Sequence, residues 1–221
     1  MNNFIDRISI SIQRGKIDAN SPYPPDMKGE PGADELTREA LQNGVAANDI
    51  LTLAMIPAMG IVGELFKDKK LFVPQVLMSA KAMNSAMLHL KPYFTSGEIK
   101  QRGIFVIGTV SGDLHDIGKN LVSMMIEGSG WRVVDLGVDV KTERFIEAVQ
   151  ENPDCILGMS ALLTTTMESM ERSVREVRSN YPSQRILVGG APLNKEFAFR
   201  IGADMYAPNP QVAVEYINSI A

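Results

Sequence analysis

The chain is short of the residues that announce a cross-linked or metal-caged protein. It has one cysteine, Cys155, so an internal disulfide framework is excluded. Lying just ahead of Ile156-Leu157, that thiol reads as a small hydrophobe opening a buried strand. Basic runs are missing too. Lys and Arg number 22 against 26 Asp and Glu, a formal net charge of -4, and nothing in the pattern would track phosphates, so no nucleic acid is expected as a partner. No apolar run reads as long enough to cross a bilayer, so no membrane is expected either. Met1–Arg7 lacks the charged-then-apolar build of a signal peptide. Together these absences read as a cytoplasmic protein. No G-x-S-x-G or metal triad appears, which argues against a self-standing hydrolase. The remainder is ordinary: 221 residues, 45% hydrophobic and 22% charged, enough for one large domain or two small ones.

The apolar pattern changes character once along the chain. Up to about residue 93 it is helical. Phe4–Gln13 reads as a short helix, and the Pro- and Gly-rich stretch Ser21–Gly32 as an exposed loop. Ala33–Gln42 is a helix closed by Asn43-Gly44. Asn48-Asp49 offers an N-cap to a helix whose apolar face runs from Ile50 to Phe66, with a kink expected where Pro57 and Gly60 interrupt it. Lys67–Lys70 is a polar turn. A second strong helix starts at Pro74 and is expected to stop at Leu90, before Pro92. Met78, Met83 and Met87 read as its core, and His89, near its end, is given no role.

Residues 94–102 read as a linker, with a hinge role if the two halves move. From 103 to 221, apolar runs alternate with helices. Strands are expected at Ile104–Val110, Arg132–Leu136, Cys155–Ser160, Arg185–Val188 and Met205–Ala207. Helices are expected at about Asn120–Glu127, Thr142–Glu151, Met167–Ser179, Lys195–Ile201 and Gln211–Ser219. The fold class is therefore α/β: an N-terminal helical bundle over 1–93, then a flavodoxin-like or Rossmann-like five-stranded parallel sheet with helices on both faces. The expected order is 2-1-3-4-5, with right-handed crossovers. Its switch point lies between strands one and three, where such sheets bind ligands.

Into the loop after strand one the chain places Ser111-Gly112-Asp113-Leu114-His115-Asp116-Ile117-Gly118. A neutral imidazole binds a transition metal through one ring nitrogen. A carboxylate on the other nitrogen fixes the tautomer, and Asp113 is placed for that. One histidine and nearby oxygens are too few for a closed zinc site. A metal here therefore arrives inside a macrocycle, and Gly112 and Gly118 let a flat ligand approach the backbone. The loops after strands three and four carry Ser160–Thr166 and Gly189-Gly190-Ala191, flanking the same crevice.

Asp113-x-His115-x-x-Gly118, followed by Ser160 and the late Gly189-Gly190 pair, resembles the cobalamin-binding signature of methionine synthase and of corrinoid carrier proteins. The helical half joins in, since Gly63–Gln75 looks like the family's cap turn. The resemblance implies cobalamin as cofactor, as methylcobalamin, cob(I)alamin or a related corrinoid, held base-off with His115 as the lower cobalt ligand. It implies that Asp113 bonds His115, and that Thr166 stands where methionine synthase has the serine of a relay. Gly112, Leu114, Asp116, Ile117, Ser160, Leu162, Leu163, Thr164, Gly189, Gly190, Ala191, Tyr206 and Asn209 would line the cofactor and its nucleotide tail. Phe66, Phe72 and Val73 would cover the methyl-bearing face.

By the same resemblance the chain is a methyl shuttle without catalysis of its own. Its implied partners are a donor-specific methyltransferase, a methylcorrinoid:acceptor methyltransferase serving tetrahydrofolate or a thiol, and a reductive activator. The rival classes are a cobalamin-dependent sensor, for which no residues remain as an output module, an adenosylcobalamin mutase subunit, which usually lacks such a cap, and a receiver domain, for which no phosphoacceptor aspartate follows strand three. A methyl donor is not legible from these residues.

Overall fold

The computed structural model describes residues 2–220. They form two compact units. One runs through Gln101 and takes in Gly128–Gly130; the other comprises Arg102–Glu127 and the chain from Trp131 onward.

The first unit is helical. Helix α1 (Asn2–Arg14) buries Ile8, Ser11 and Ile12, one helical stripe out of a sequence that also spells Ile10 on the exposed side. The Pro-rich loop that follows is tied down locally. Lys16, fully buried, donates to the carbonyl of Ser21 at 2.9 Å, and Glu35 accepts from the backbone N–H groups of Ala19 and Gly32, both at 2.9 Å. Helix α2 (Ala33–Gln42) ends in a Schellman motif: Val45 N–H bonds Ala40 O, Gly44 N–H bonds Leu41 O, and Gly44 has φ +78°.

One expectation for the next helix fails, its start. Asn48 and Asp49 do not cap the helix, because its short first piece, α3 (Ala47–Asp49), already begins at Ala47. At Pro57, where a kink is expected, the helix changes type. A π-helical stretch, Ile50–Met55, precedes α4 (Ile56–Lys67), and Ile56 N–H bonds Leu51 O five residues back. Pro57 therefore sits where the bonding pattern narrows from π to α, and the hydrogen bond its ring forfeits falls at that change of register. The result is one helix over Ala47–Lys67. It is long and apolar enough to cross a membrane by length and composition alone, contrary to the sequence reading. It packs on α1 as a core helix of the bundle, with Ile50, Ala54, Met55, Ala58 and Val62 completely buried. Helix α5 (Val73–Thr95) likewise passes through Pro92 rather than ending before it, so residues 94–95 are helix, not linker. The carbonyl that Pro92 leaves without a donor belongs to the exposed Leu88.

The second unit is a parallel sheet of order β2-β1-β3-β4-β5, the order expected. The strands are β1 (Ile104–Thr109), β2 (Arg132–Asp135), β3 (Ile156–Ser160), β4 (Arg185–Gly189) and β5 (Met205–Ala207). The helices are α6 (Ile117–Gly128), α7 (Thr142–Glu151), α8 (Met167–Asn180), α9 (Lys195–Ile201) and α10 (Pro210–Ser219). Helix α6 starts three residues before the expected Asn120, since Asn120 N–H already bonds Asp116 O at 2.7 Å.

Side chains alternate along the strands. Val106, Val110, Leu157, Met159, Ile186 and Val188 join Phe145, Met170, Val174 and Phe197 of α7, α8 and α9 in one core. Gly108 belongs to that face: a Cβ there would lie 2.9 Å from the Phe145 ring. The β1-to-β2 crossover runs opposite to the other three, so right-handed winding sends α6 to the other face. Register sets Thr109 beside Ser160 and Ser160 beside Gly189, so the ends of β1, β3 and β4 form one carboxyl edge.

Candidate functional site at the carboxyl edge of the sheet

Asp113 is the centre of this edge. It follows a turn in which Gly112 takes φ +84° and Asp113 N–H bonds Val110 O. Its carboxylate has no solvent exposure and collects five donors. Oδ1 accepts from His115 N–H at 3.0 Å and from His115 Nδ1 at 2.7 Å. Oδ2 accepts from Leu162 N–H at 2.6 Å, Leu163 N–H at 3.3 Å and Thr166 Oγ1 at 2.9 Å. Burial alone would push the acid's pKa up. The bonds from Leu162 N–H, the His115 backbone and ring, and Thr166 outweigh it and hold the carboxyl well below the usual carboxylate range.

An ionised Asp113 can only accept, so the proton between it and His115 sits on Nδ1. In the neutral ring, Nε2 then carries the lone pair. The imidazole is 51% exposed, while the carboxylate beneath it has no exposure. Thr109, at the end of β1, donates its Oγ1 hydrogen to His115 O at 3.0 Å and fixes the backbone of the same residue. Thr166 is the N-cap residue of α8, yet its hydroxyl makes no capping bond. Its one hydrogen instead has two acceptors at 2.9 Å, Asp113 Oδ2 and Leu163 O.

Around the ring the surface is apolar and open. Leu114 and Ile117 are 72% and 67% exposed, and Leu162 and Leu163 stand out beside them on the β3 loop. A Cβ on Gly118 would meet nothing within 4 Å. At Gly190, with φ +138°, a Cβ would strike the carbonyl of Ala161, so the β3 and β4 loops touch backbone to backbone. Ser160 and Gly189 end their strands half-buried, Thr164 and Ala191 are exposed, and Tyr206 lies half-buried on β5. Asn209 caps α10, its Oδ1 accepting from Val212 N–H at 3.0 Å. Asp116 accepts from Asn120 Nδ2 at 3.0 Å. Phe66, Phe72 and Val73 belong to the helical unit, at the turn between α4 and α5, where Phe72 is 65% exposed.

Sequence reading missed the residues that hold this loop from β2. Asp139, with φ +52°, accepts on Oδ1 from Gly112 N–H at 2.7 Å and Ser111 Oγ at 3.2 Å, while its own N–H bonds Asp113 O at 3.0 Å. Lys119, buried in the first turn of α6, pairs with Asp135 at the end of β2. Gly137-Val-Asp139 is an ordinary turn composition, and nothing local points it at residue 112. A cavity of about 750 Å³ opens at the opposite, amino edge of the sheet, lined by Trp131, Cys155, Gln184 and Arg185 among others, and contains none of the carboxyl-edge residues described above. Among the described residues, no three His, Cys, Asp or Glu side chains gather into a group that could hold an ion.

The fold and this edge define a class: a doubly wound α/β binding module, joined to a helical bundle, that presents one carboxylate-oriented imidazole on an apolar surface. Comparison with known proteins narrows it. The B12 binding domain family matches residues 103–215, and a second B12 binding domain family matches residues 29–91. A corrinoid protein of Desulfitobacterium hafniense is 37% identical over 191 residues, 84% of this chain and 88% of that one. Trimethylamine corrinoid protein 1 of Methanosarcina acetivorans is 37% identical over 193 residues, 85% and 89% of the two chains. The methanol:cobalamin methyltransferase complex MtaBC of Methanosarcina barkeri contains a chain of similar structure, with TM-score 0.82 and 29% identity over 99% of this chain and 80% of that one. The chain belongs to the B12-binding corrinoid protein family.

Proposed function

We propose that this chain is the methyl-carrying corrinoid subunit of a methyltransferase system. In this reading it passes a methyl group from a donor-specific methyltransferase to a methylcorrinoid:acceptor methyltransferase serving tetrahydrofolate or a thiol. A reductive activator restores the corrinoid when it is oxidised, and all of this takes place in the cytoplasm. The observation that carries the reading is the His115–Asp113 pair, an exposed imidazole whose inner nitrogen is committed to a buried carboxylate.

The residues suit a corrinoid. Nε2 of His115 is the one ring nitrogen left for a metal, and it stands among exposed Leu114, Ile117 and Leu162 with open space at Gly118. Those are the needs of a large flat apolar ligand with a metal at its centre. A bound corrinoid supplies the cobalt centre that takes up and gives up the methyl group. His115 would hold it from below through Nε2, with the cofactor's own base displaced. Asp113 keeps the Nδ1 proton in place and balances any proton that reaches Nε2, and Thr166 steadies Asp113 from the far side. Gly112, Ser160, Leu163, Thr164, Gly189, Gly190 and Ala191, with Tyr206 and Asn209 beyond, would line the path of the nucleotide tail. Phe66, Phe72 and Val73 would shield the upper face from water.

The test is His115→Gly. The variant keeps its circular dichroism and melting temperature, binds hydroxocobalamin more weakly, and loses the absorption spectrum of the histidine-ligated wild type. Methyl transfer from trimethylamine or methanol, assayed with cell extract, slows with it. An unchanged spectrum together with unchanged transfer would overturn the axial assignment.

A further inference from the structure

We propose that Asp139 is a positioning residue for His115, acting as a clamp from the loop of the edge strand β2. The inference rests on the reading of His115 as the lower cobalt ligand and adds a residue outside the D-x-H-x-x-G motif. The imidazole can be only as well placed as Asp113, and Asp113 sits on a turn whose Gly112 has φ +84°. Three bonds hold that turn from Asp139: Gly112 N–H to Oδ1 at 2.7 Å, Ser111 Oγ to Oδ1 at 3.2 Å, and Asp139 N–H to Asp113 O at 3.0 Å. Asp139 adopts φ +52° to do this, a conformation uncommon for a residue with a side chain.

The β2 loop is itself anchored at both ends. Asp135 accepts from Gly137 N–H at 2.8 Å and pairs with the buried Lys119 of α6. Gly137 O accepts from Thr109 N–H at 3.0 Å, and Val140 N–H bonds Thr109 O at 2.9 Å. The clamp thus joins a braced loop to the turn that carries Asp113. Its carboxylate lies beyond Gly112, two links from the ring and outside the Asp113–Thr166 contacts. Partners that bond a metal ligand directly, as Asp113 bonds His115, are commonly worth about 10- to 100-fold in affinity, and Asp139 acts one link further out, at the lower end of that range.

Two substitutions separate the clamp from general stability. Asp139→Gly deletes the acceptor while glycine takes φ +52° without strain. Asp139→Asn keeps an acceptor oxygen and tolerates the same backbone. In apo protein, Asp139→Gly should raise amide hydrogen exchange at Gly112 about 10-fold or more and shift the His115 ring ¹⁵N resonances, with Asp139→Asn near wild type. Titrated with hydroxocobalamin, Asp139→Gly should bind about 10-fold more weakly and show the histidine-ligated spectrum only in part, and Asp139→Asn should restore both. Wild-type exchange and affinity in Asp139→Gly would overturn the proposal, as would Asp139→Asn behaving like Asp139→Gly. If instead the wild type and His115→Gly bind cobalamin with the same spectrum, the axial reading is what fails. The clamp then stands or falls on the apo exchange and ring resonances alone.

Discussion

At the scale of single residues, the site is decided by where one negative charge can be kept. Asp113 has lost its water entirely, and what replaces it is a full set of donors: three backbone N–H groups, a hydroxyl and an imidazole. Asp113→Asn puts an amide NH₂ where two or three of these donors point. We expect a loss of about 3 kcal/mol in urea unfolding at pH 7, the scale of hydrogen bonds to a buried charge. The sign of the pH dependence follows from the depressed carboxyl. Its contribution is complete above the unfolded-state value near 4 and is lost as pH falls through the lower folded-state value. The gap between wild type and Asp113→Asn should therefore be widest at neutral pH and shrink as unfolding is measured below about pH 4. Thr166→Val should cost about 1 kcal/mol by the same assay, with Thr166→Ser close to wild type, because one shared hydroxyl hydrogen is all that is removed.

Elements explain which parts of this could be read in advance. The five strands and the strand-loop-helix setting of His115 follow from apolar runs alternating with helices, and the structure has the flavodoxin-like order that five such strands suggest. Contiguity made the Asp113–His115 bond legible, since two residues in one tight loop have little choice. Pro92 misled because it lies in the last turns of a long helix, where the chain could absorb it. The clamp by Asp139 was illegible because it joins two loops 27 residues apart through a bond to backbone, which leaves no pattern in side-chain type. Two glycines of the signature show how different their reasons can be. Gly190→Ala brings a Cβ to 1.8 Å from Ala161 O at φ +138°, and should destabilise by about 3 kcal/mol or more in urea unfolding. Gly118→Ala meets open space in the first turn of α6, and should raise apo stability by about 0.5–1 kcal/mol while weakening hydroxocobalamin binding.

At the scale of the whole chain, the question is whether both units answer to one ligand. The match of a B12 binding domain family to residues 29–91 supports a part for the helical unit as well as the sheet. Ligand that binds only folded protein stabilises it by about 2.7 kcal/mol at 100 times Kd, which for a chain of this size raises Tm by roughly 5–11 °C. Phe72 is the residue to probe. At 65% exposure it contributes little to apo packing, and Phe72→Ala should leave the apo Tm within about 2 °C of wild type. If the α4–α5 turn covers the corrinoid, the Tm rise on adding hydroxocobalamin should nonetheless be smaller in Phe72→Ala than in wild type, by the affinity lost. Exposed apolar area explains why both outcomes belong together: an exposed phenylalanine ring is favourable surface for a ligand to cover, and removing it is felt when that ligand is there. An identical rise in the two proteins would confine the cofactor to the sheet and leave the helical unit without a hand in binding.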